Sequence, residues 1–419
     1  MKKISQDLDN LQLCDEWYKT AINLVDGGFL PQLNNIEDRP LTKADFQSGI
    51  GERTDILNKI HTLLIEHKIS PDHDITTKKI LAPLILLCGE NVQSCAWTNS
   101  QIIQSSYSIL TVLKNQIFKL DSLSSIFEEN PELLRICVRN LHLKLTKEDW
   151  KKYPAAQQCS GWLLRQISGR FLSEFLADFL PFSLRFIDDW QLTHKIFALQ
   201  NISYIIENVT KKDLSKFGYT QVLKEALFHV TVHREMDLLR VAFDCTFKFL
   251  IKTSDEKNFA KFDIWDEFCQ KLLQNMETET KPELKHLYSA QVKKLLPFLG
   301  VGTARWISTL LSIISNYAQL NNDVMDALEI LSIILEVCAE RVKFHSDVIY
   351  EMLVRLLYDP FCDGKVFELS SELLRKMALI SSQDFLLEFK GFEEEQQQCD
   401  ADRVVGEILT GLLKRESDP

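Results

Sequence analysis

An all-α fold of stacked helical hairpins is what this 419-residue sequence predicts, and three observations predict it. Apolar residues recur at three- and four-residue spacing along most of the chain, the signature of helices with one buried face. The helix pairs so defined repeat at about 40 residues, the period of HEAT and armadillo repeats, which points to an α-solenoid. No run alternates apolar and polar side chains for long enough to make a strand; Val230-Thr231-Val232 is ambiguous alone, and its flanks are helical.

Taken from the N-terminus, Leu8, Leu11, Leu13, Trp17, Ile22 and Leu24 form an amphipathic segment that Gly27-Gly28 ends. The chain then turns polar and irregular from Pro31 to Arg53. A helical pattern resumes from Asp55 to Glu66, Ile80 to Cys88 is a short buried run, and Tyr107 to Leu120 continues the periodicity through Leu110, Leu113 and Ile117. Asn130-Pro131-Glu132 has the make-up of a helix start: a capping Asn, a Pro where its missing N–H does no harm, and a Glu at the positive end of the dipole. Thr146-x-x-Asp149 and Thr280-x-x-Glu283 have the form of capping boxes and place two further starts.

The densest pattern lies between Cys159 and Leu250. Phe171, Leu172, Phe175, Leu176, Phe179 and Leu180 share one helical face, and Pro181 is expected to bend or stop that helix. The acidic doublet Asp188-Asp189 follows, placed to accept hydrogen bonds from the opening N–H groups of a helix running from about Trp190 to Glu207. Burial of one such stripe does not offset the entropy of ordering its helix, so neighbouring helices must cover it. Three later stripes supply the same design: Trp306 to Ile314, Val324 to Leu335, and Val348 to Leu357, punctuated by Asn321-Asn322 and Asp359-Pro360. The acidic and glutamine-rich stretch from Glu388 to Asp402 reads as an exposed linker before a final helix around Val404 to Leu413. The domain organisation expected is an N-terminal helical region over 1–155, a HEAT-like array over 156–387, and a linker with a short C-terminal helix over 388–419.

Composition narrows the function. With 59 acidic against 48 basic residues the net charge is -11, which opposes binding to nucleic acid, and Lys211-Lys212 and Lys293-Lys294 are isolated pairs on helix ends. Trp97, Trp162, Trp190 and Trp306 are not interleaved with a basic stripe, so they are read as packing residues. Ten cysteines without metal-ligand spacing, after a polar N-terminus, lead to the expectation of reduced thiols in the cytoplasm, with the nucleus as a second compartment. No apolar run reaches the roughly 20 residues of a bilayer span, so a soluble, membrane-free protein is expected.

Candidate reaction centres fail one at a time. Asp188-Asp189 lacks the carboxylate one turn on that a magnesium diphosphate site needs, since Leu192 stands there. His229 and His233 have the spacing of a zinc protease pair, but Val230 occupies the general-base position. His73-Asp74 has no partner ligands. Gly300-Val301-Gly302 belongs to a helix-to-helix turn, with Arg305 where a dinucleotide fingerprint requires its last glycine. No catalytic, metal-binding or cofactor-binding residue is therefore assigned, and no cofactor is expected.

The central stretch carries a resemblance. Leu180-Pro181, Asp188-Asp189, Lys195-Ile196, the helix through Leu199 to Asn208-Val209, then Leu214, Tyr219, Val222-Leu223 and Ala226-Leu227 are similar to the Tel-two-interacting protein two family, as are Leu295-Leu296-Pro297-Phe298 and the helices from Trp306 to Leu357. The sequence departs from that pattern where Ala198 replaces a glycine and where Ser203 and Tyr204 replace histidine. The resemblance implies a non-enzymatic HEAT-like scaffold of the Triple-T co-chaperone complex, partnered by proteins resembling Tti-one and Tel-two. Through them it implies the ninety-kilodalton heat-shock chaperone and the phosphatidylinositol-kinase-related kinases, with roles in DNA-damage signalling, telomere maintenance and TOR signalling. Leu180, Pro181, Asp188, Asp189, Lys195 and Asn208 are its structural markers.

Trp306, Tyr317, Phe344, Tyr350 and Tyr358 exceed what one buried stripe per helix needs and are the candidate partner surface, because aromatic side chains concentrate at interface centres. Two alternatives stay open: another solenoid adaptor, for transport or phosphatase assembly, and an all-α metal-dependent enzyme.

Overall fold

Helix-forming periodicity and cross-hairpin polar links together build this protein, whose computed structural model describes residues 19–33, 39–66, 75–255, 259, 261–319, 323–389 and 399–417. His73-Asp74, Asn321-Asn322, the start of the N-terminal amphipathic segment and most of the acidic linker lie outside them. The described residues contain helices and turns and no strand. They group into two compact units, Met1–Ala226 and Leu227–Pro419.

After a helical stretch over residues 19–28, unit one contains α1 (Ile50–Glu66), α2 (Ile75–Asn91), α3 (Ser100–Val112), α4 (Leu123–Glu129), α5 (Pro131–Lys144), α6 (Pro154–Leu164), α7 (Leu176–Ile187) and α8 (Leu192–Asn208). The short buried run expected from Ile80 is the middle of the longer α2, which packs against α3, α5 and α6 and buries side chains all round. Gly89 permits that packing, since a Cβ there would sit 2.3 Å from the Trp162 ring of α6. At the end of α2 the buried Glu90 accepts a hydrogen bond from Lys144 (2.9 Å), and Arg53 of α1 donates to Asn91 Oδ1 (3.2 Å) and the Trp97 carbonyl (2.5 Å). Polar groups thus fasten the first hairpins where their helices end.

Caps explain most boundaries. Asn99 accepts from the Ile102 N–H, and Ser122 from that of Ser125. Pro131 takes the first position of α5 as expected, but the Asn130 amide donates backward to the Ile126 carbonyl and closes α4. The Tyr107 to Leu120 pattern continues past α3 as a π-helical turn, which Lys119 ends in the left-handed region at φ 56°. Thr146-x-x-Asp149 closes only a turn, since Pro154 opens the next α-helix. Pro181 does not stop its helix. The break falls upstream, at Ser173 to Phe175, and α7 runs through the proline to Ile187. The bond Pro181 cannot make would go to the Ala177 carbonyl, and both residues are exposed, so water satisfies what the ring removes.

Across the boundary between the units runs α9 (Tyr219–Val230). Unit two continues with α10 (Met236–Thr253), α11 (Ile264–Thr278), α12 (Pro282–Leu299), α13 (Ile307–Tyr317), α14 (Val324–Val342), α15 (Ser346–Leu357), α16 (Gly364–Ile380), α17 (Ser382–Glu388) and α18 (Asp400–Ser417). Its hairpins are α11/α12, α13/α14 and α15/α16. The second helices α12, α14 and α16 pack in one layer, and α11, α13 and α15 in the other, the arrangement of a HEAT-like solenoid. The start of α12 is not a Thr280 capping box: its N-cap is Lys281, with no side-chain cap, and Glu279 Oε1 accepts from the Thr280 and Lys281 N–H groups just before the helix.

The predicted repeat period is visible as side-chain links between neighbouring hairpins. Arg165 meets Asn201, His142 meets Asp178, Ser173 meets Asp213, Lys285 meets Asp323, and Ser346 meets Asp384, at sequence separations of 36 to 40 residues. Each ties one repeat to the equivalent place on the next.

Candidate protein-interaction sites

The acidic doublet shows what the solenoid does with its corners. Asp188 is exposed and forms the C-terminal end of α7. Asp189 is buried, and its carboxylate lies 2.5 Å from Lys151 Nζ on one oxygen and 2.5 Å from His194 Nδ1 on the other. Burial pushes this carboxyl up, but the Lys151 and His194 contacts outweigh it and hold it below the usual carboxylate range. The expectation that the doublet caps the next helix is corrected here: α8 starts at Leu192, its N-cap is Gln191, and no side chain caps it. Asp189 instead clamps a residue before α6 to a residue in the first turn of α8.

The other markers of the family pattern are structural as well. Leu180 is fully buried, and Pro181 is exposed on α7. Lys195 Nζ donates to the Ile187 carbonyl (3.0 Å), closing α7 with a cation at the negative end of its dipole. Asn208 ends α8 with its amide on the Tyr204 carbonyl (2.9 Å). None of these atoms is arranged to react.

Beside the Asp189 clamp opens a cleft of about 540 Å³, lined by Arg39, Trp97, Lys151, Gln157, Gln158, Gln191 and His194 among others. Sequence reasoning missed it, because its walls come from four separate stretches. Gly161 was missed too. A Cβ there would meet the Phe197 ring at 2.5 Å and Asn201 Oδ1 at 2.9 Å, so only glycine lets α6 and α8 approach this closely.

The C-terminal aromatic set divides. Tyr317 and Tyr350 are 3% and 1% exposed, which corrects their assignment to a partner surface. Tyr350 bonds Ser381 Oγ at 2.6 Å, and Tyr317 packs beside the buried Lys285–Asp323 pair, 4.8 Å from the ammonium group. Both rings fill the space between hairpins. Phe344 is 68% exposed, at the turn between α14 and α15, with Arg341 and Lys343 each 5.6 Å from its ring. Tyr358, 44% exposed at the end of α15, donates to Asp402 (2.6 Å). Trp306 is half-buried, and its indole N–H donates to Asp266 (3.0 Å). That same buried carboxylate takes two bonds from Arg305, at 2.9 and 2.6 Å. The sequence marked Arg305 only as a residue that breaks a glycine motif; its role is to neutralise Asp266.

Among the described residues no group of three or more His, Cys, Asp or Glu side chains is placed to hold a metal ion, and no single helix is long and apolar enough to cross a membrane. The rings of His229 and His233 lie 6.1 Å apart, with His233 in the turn after α9.

Comparison with known proteins supplies what geometry does not. The profile of the Tti2 family matches residues 138–322. TELO2-interacting protein 2 of Rattus norvegicus is 28% identical over 280 residues, and that of Homo sapiens 26% over 305 residues. Over that stretch the chain is similar to the Tti2 family. These matches take in 63% and 70% of this chain and 54% and 59% of the relatives, so it spans little more than half their length. Two solved karyopherin structures share its fold at a TM-score of 0.50. One, titled for Kap95p binding to RanGDP, is 10% identical, over 94% of this chain and 57% of that one; the other, Kap121p bound to RanGTP, is 12% identical, over 89% and 37%. At such identities the likeness shows the helical-repeat fold alone.

Proposed function

We propose that this chain is a non-enzymatic scaffold subunit that holds other helical-repeat proteins together in a co-chaperone assembly. The observation that carries the reading is the Tti2 profile match over 138–322, together with relatives named for interaction with TELO2. A TELO2-like protein is accordingly the first partner, and a Tti-one-like protein the second. Through them the assembly supports maturation and stability of phosphatidylinositol-kinase-related kinases with the ninety-kilodalton heat-shock chaperone, in the cytoplasm and nucleus. Stacked hairpins suit this work because they offer long, rigid faces on which contacts accumulate without a reaction centre. The exposed rings of Phe344 and Tyr358, with half-buried Trp306, are the proposed contact points in unit two.

Affinity purification of the tagged full chain from its native cells tests the proposal. Recovery of TELO2-like and Tti-one-like proteins in stoichiometric amounts is the expected result. Recovery of transport factors or phosphatase subunits in their place overturns it. Phe344→Ala removes an exposed ring and leaves the core untouched, so it should lower recovery without changing the melting temperature; unchanged recovery removes Phe344 from the interface.

A further inference from the structure

Two helices of unit one start side by side. Near their beginnings Lys151 and Asp189 are in contact, at mid-length Gly161 faces Phe197, and further along Arg165 donates to Asn201. Start meets start and middle meets middle, so α6 and α8 run parallel and bring their N-termini to one place. Neither is capped by a side chain: the N-cap residues are Tyr153 and Gln191, and neither side chain bonds a first-turn amide. Two positive dipole ends therefore face the same cleft, which the first turns of both helices line through Gln157, Gln158, Gln191 and His194.

A second observation is independent of the helix ends. Gln157 is 3% exposed, and its amide nitrogen has no hydrogen-bond acceptor. A buried donor left unsatisfied is uncommon and carries a desolvation penalty that an incoming acceptor removes. The carboxylates nearby do not fill that role. Asp189 is engaged by Lys151 and His194, and Asp45, which also lines the cleft, accepts from Arg39 at 3.0 and 2.6 Å and from the Thr42 N–H and hydroxyl at 2.7 and 3.0 Å. Each acidic group at this site is matched by a base, neither helix start carries a side-chain cap, and the Gln157 amide nitrogen has no acceptor.

We propose that the cleft receives an extended acidic segment of a partner protein, one of whose carboxylates sits at the paired helix starts and accepts from Gln157. The cleft, at about 540 Å³, is far larger than a lone carboxylate requires and lies within the range of sites that enclose a sizeable ligand. Glutamine amides offer a donor and an acceptor together, which is what a peptide group needs on each side; Gln158 and Gln191, half-buried at the rim, take the backbone. A site that attracts anions on a chain of net charge -11 also discriminates, because the rest of the surface repels the same segment. The proposal rests on the reading of this chain as a protein-binding subunit.

The test uses the purified full chain and two fluorescent decapeptides, one alternating glutamate with alanine and one alternating glutamine with alanine, titrated by fluorescence polarisation. The glutamate peptide should bind at least about tenfold more tightly, and added salt should weaken it. Gln158→Glu with Gln191→Glu places two carboxylates at the rim and should abolish binding at an unchanged melting temperature. Gln157→Met, which keeps the volume and removes the donor, should bring the two peptides to equal affinity. Equal binding of both peptides to the native chain, no binding, or binding that the rim variant leaves intact overturns the proposal. Because peptide binding is read without any cellular partner, its failure leaves the recovery of TELO2-like proteins untouched, and the reverse also holds.

Discussion

Asp188 and Asp189 look alike in sequence and differ by burial, which makes their roles separable by mutation. Asp189→Ala leaves Lys151 and His194 without their carboxylate and should cost about 1.5–3 kcal/mol, the range for hydrogen bonds to charged groups. Asp188→Asn changes an exposed position and should stay within about 0.5 kcal/mol. Urea denaturation of the two variants decides the point, and equal losses would show that the clamp adds nothing. The doublet was legible in the sequence as a corner between two helices. Its internal asymmetry was not, because it depends on Lys151, a residue 38 positions upstream. Tyr317 and Tyr350 teach the same lesson from the other side: aromatic content announces a packing surface, and only the neighbouring hairpin decides whether that surface is already covered.

At the scale of elements, close approach and buried charge set the register between helices. Gly161→Ala would press a methyl group into Phe197, at a cost of about 1–3 kcal/mol for overpacking. Shortening the ring by Phe197→Leu should recover part of that loss in the double variant, measured by a thermodynamic cycle. Arg305→Ala leaves the buried Asp266 with no cation and should cost about 3–5 kcal/mol in chemical denaturation; Arg305→Lys should restore only part, since one ammonium group cannot make both bonds. The helices themselves were readable from periodicity, as the stripes of α13, α14 and α15 show. Their ends were less so. Pro181 and Thr280 are ordinary stop and start signals, yet α7 runs through the first, and α12 opens two residues past the second with no side-chain cap.

For the whole molecule, the carboxylates fix how stability follows pH. Thr210, Lys216 and Ser173 hold the Asp213 carboxyl down at about 2. Burial raises Glu279, but the Lys281 and Thr280 amides outweigh it and hold it below its ordinary value, and Asp189 is lowered likewise. A carboxyl lowered on folding contributes its full stabilisation above its unfolded value near 4 and loses it as pH falls toward the folded value. Glu90 runs the other way: burial raises it further than Lys144 and Arg53 lower it, so its protonation on acidification favours the folded state. Asp45, Asp149 and Glu340 are lowered as well, so six lowered carboxyls against one raised predict a melting temperature that declines from pH 5 to pH 3, and calorimetry across that range checks it. A flat profile would show that Glu90 cancels the others. The fold class was available from repeat period and composition, whereas the cleft was not, since Arg39, Trp97, Gln157 and Gln191 meet only after the chain has folded.

The polar links spaced 36 to 40 residues apart have a kinetic meaning. Each joins two hairpins, so opening one strips a charged or hydroxyl partner from its neighbour and lowers the barrier to the next opening. Within unit two, the slowest backbone amides of α11 and α13, joined through Asp266 and Arg305, should exchange with deuterium as one cooperative group in the native chain and at separate rates in Arg305→Ala.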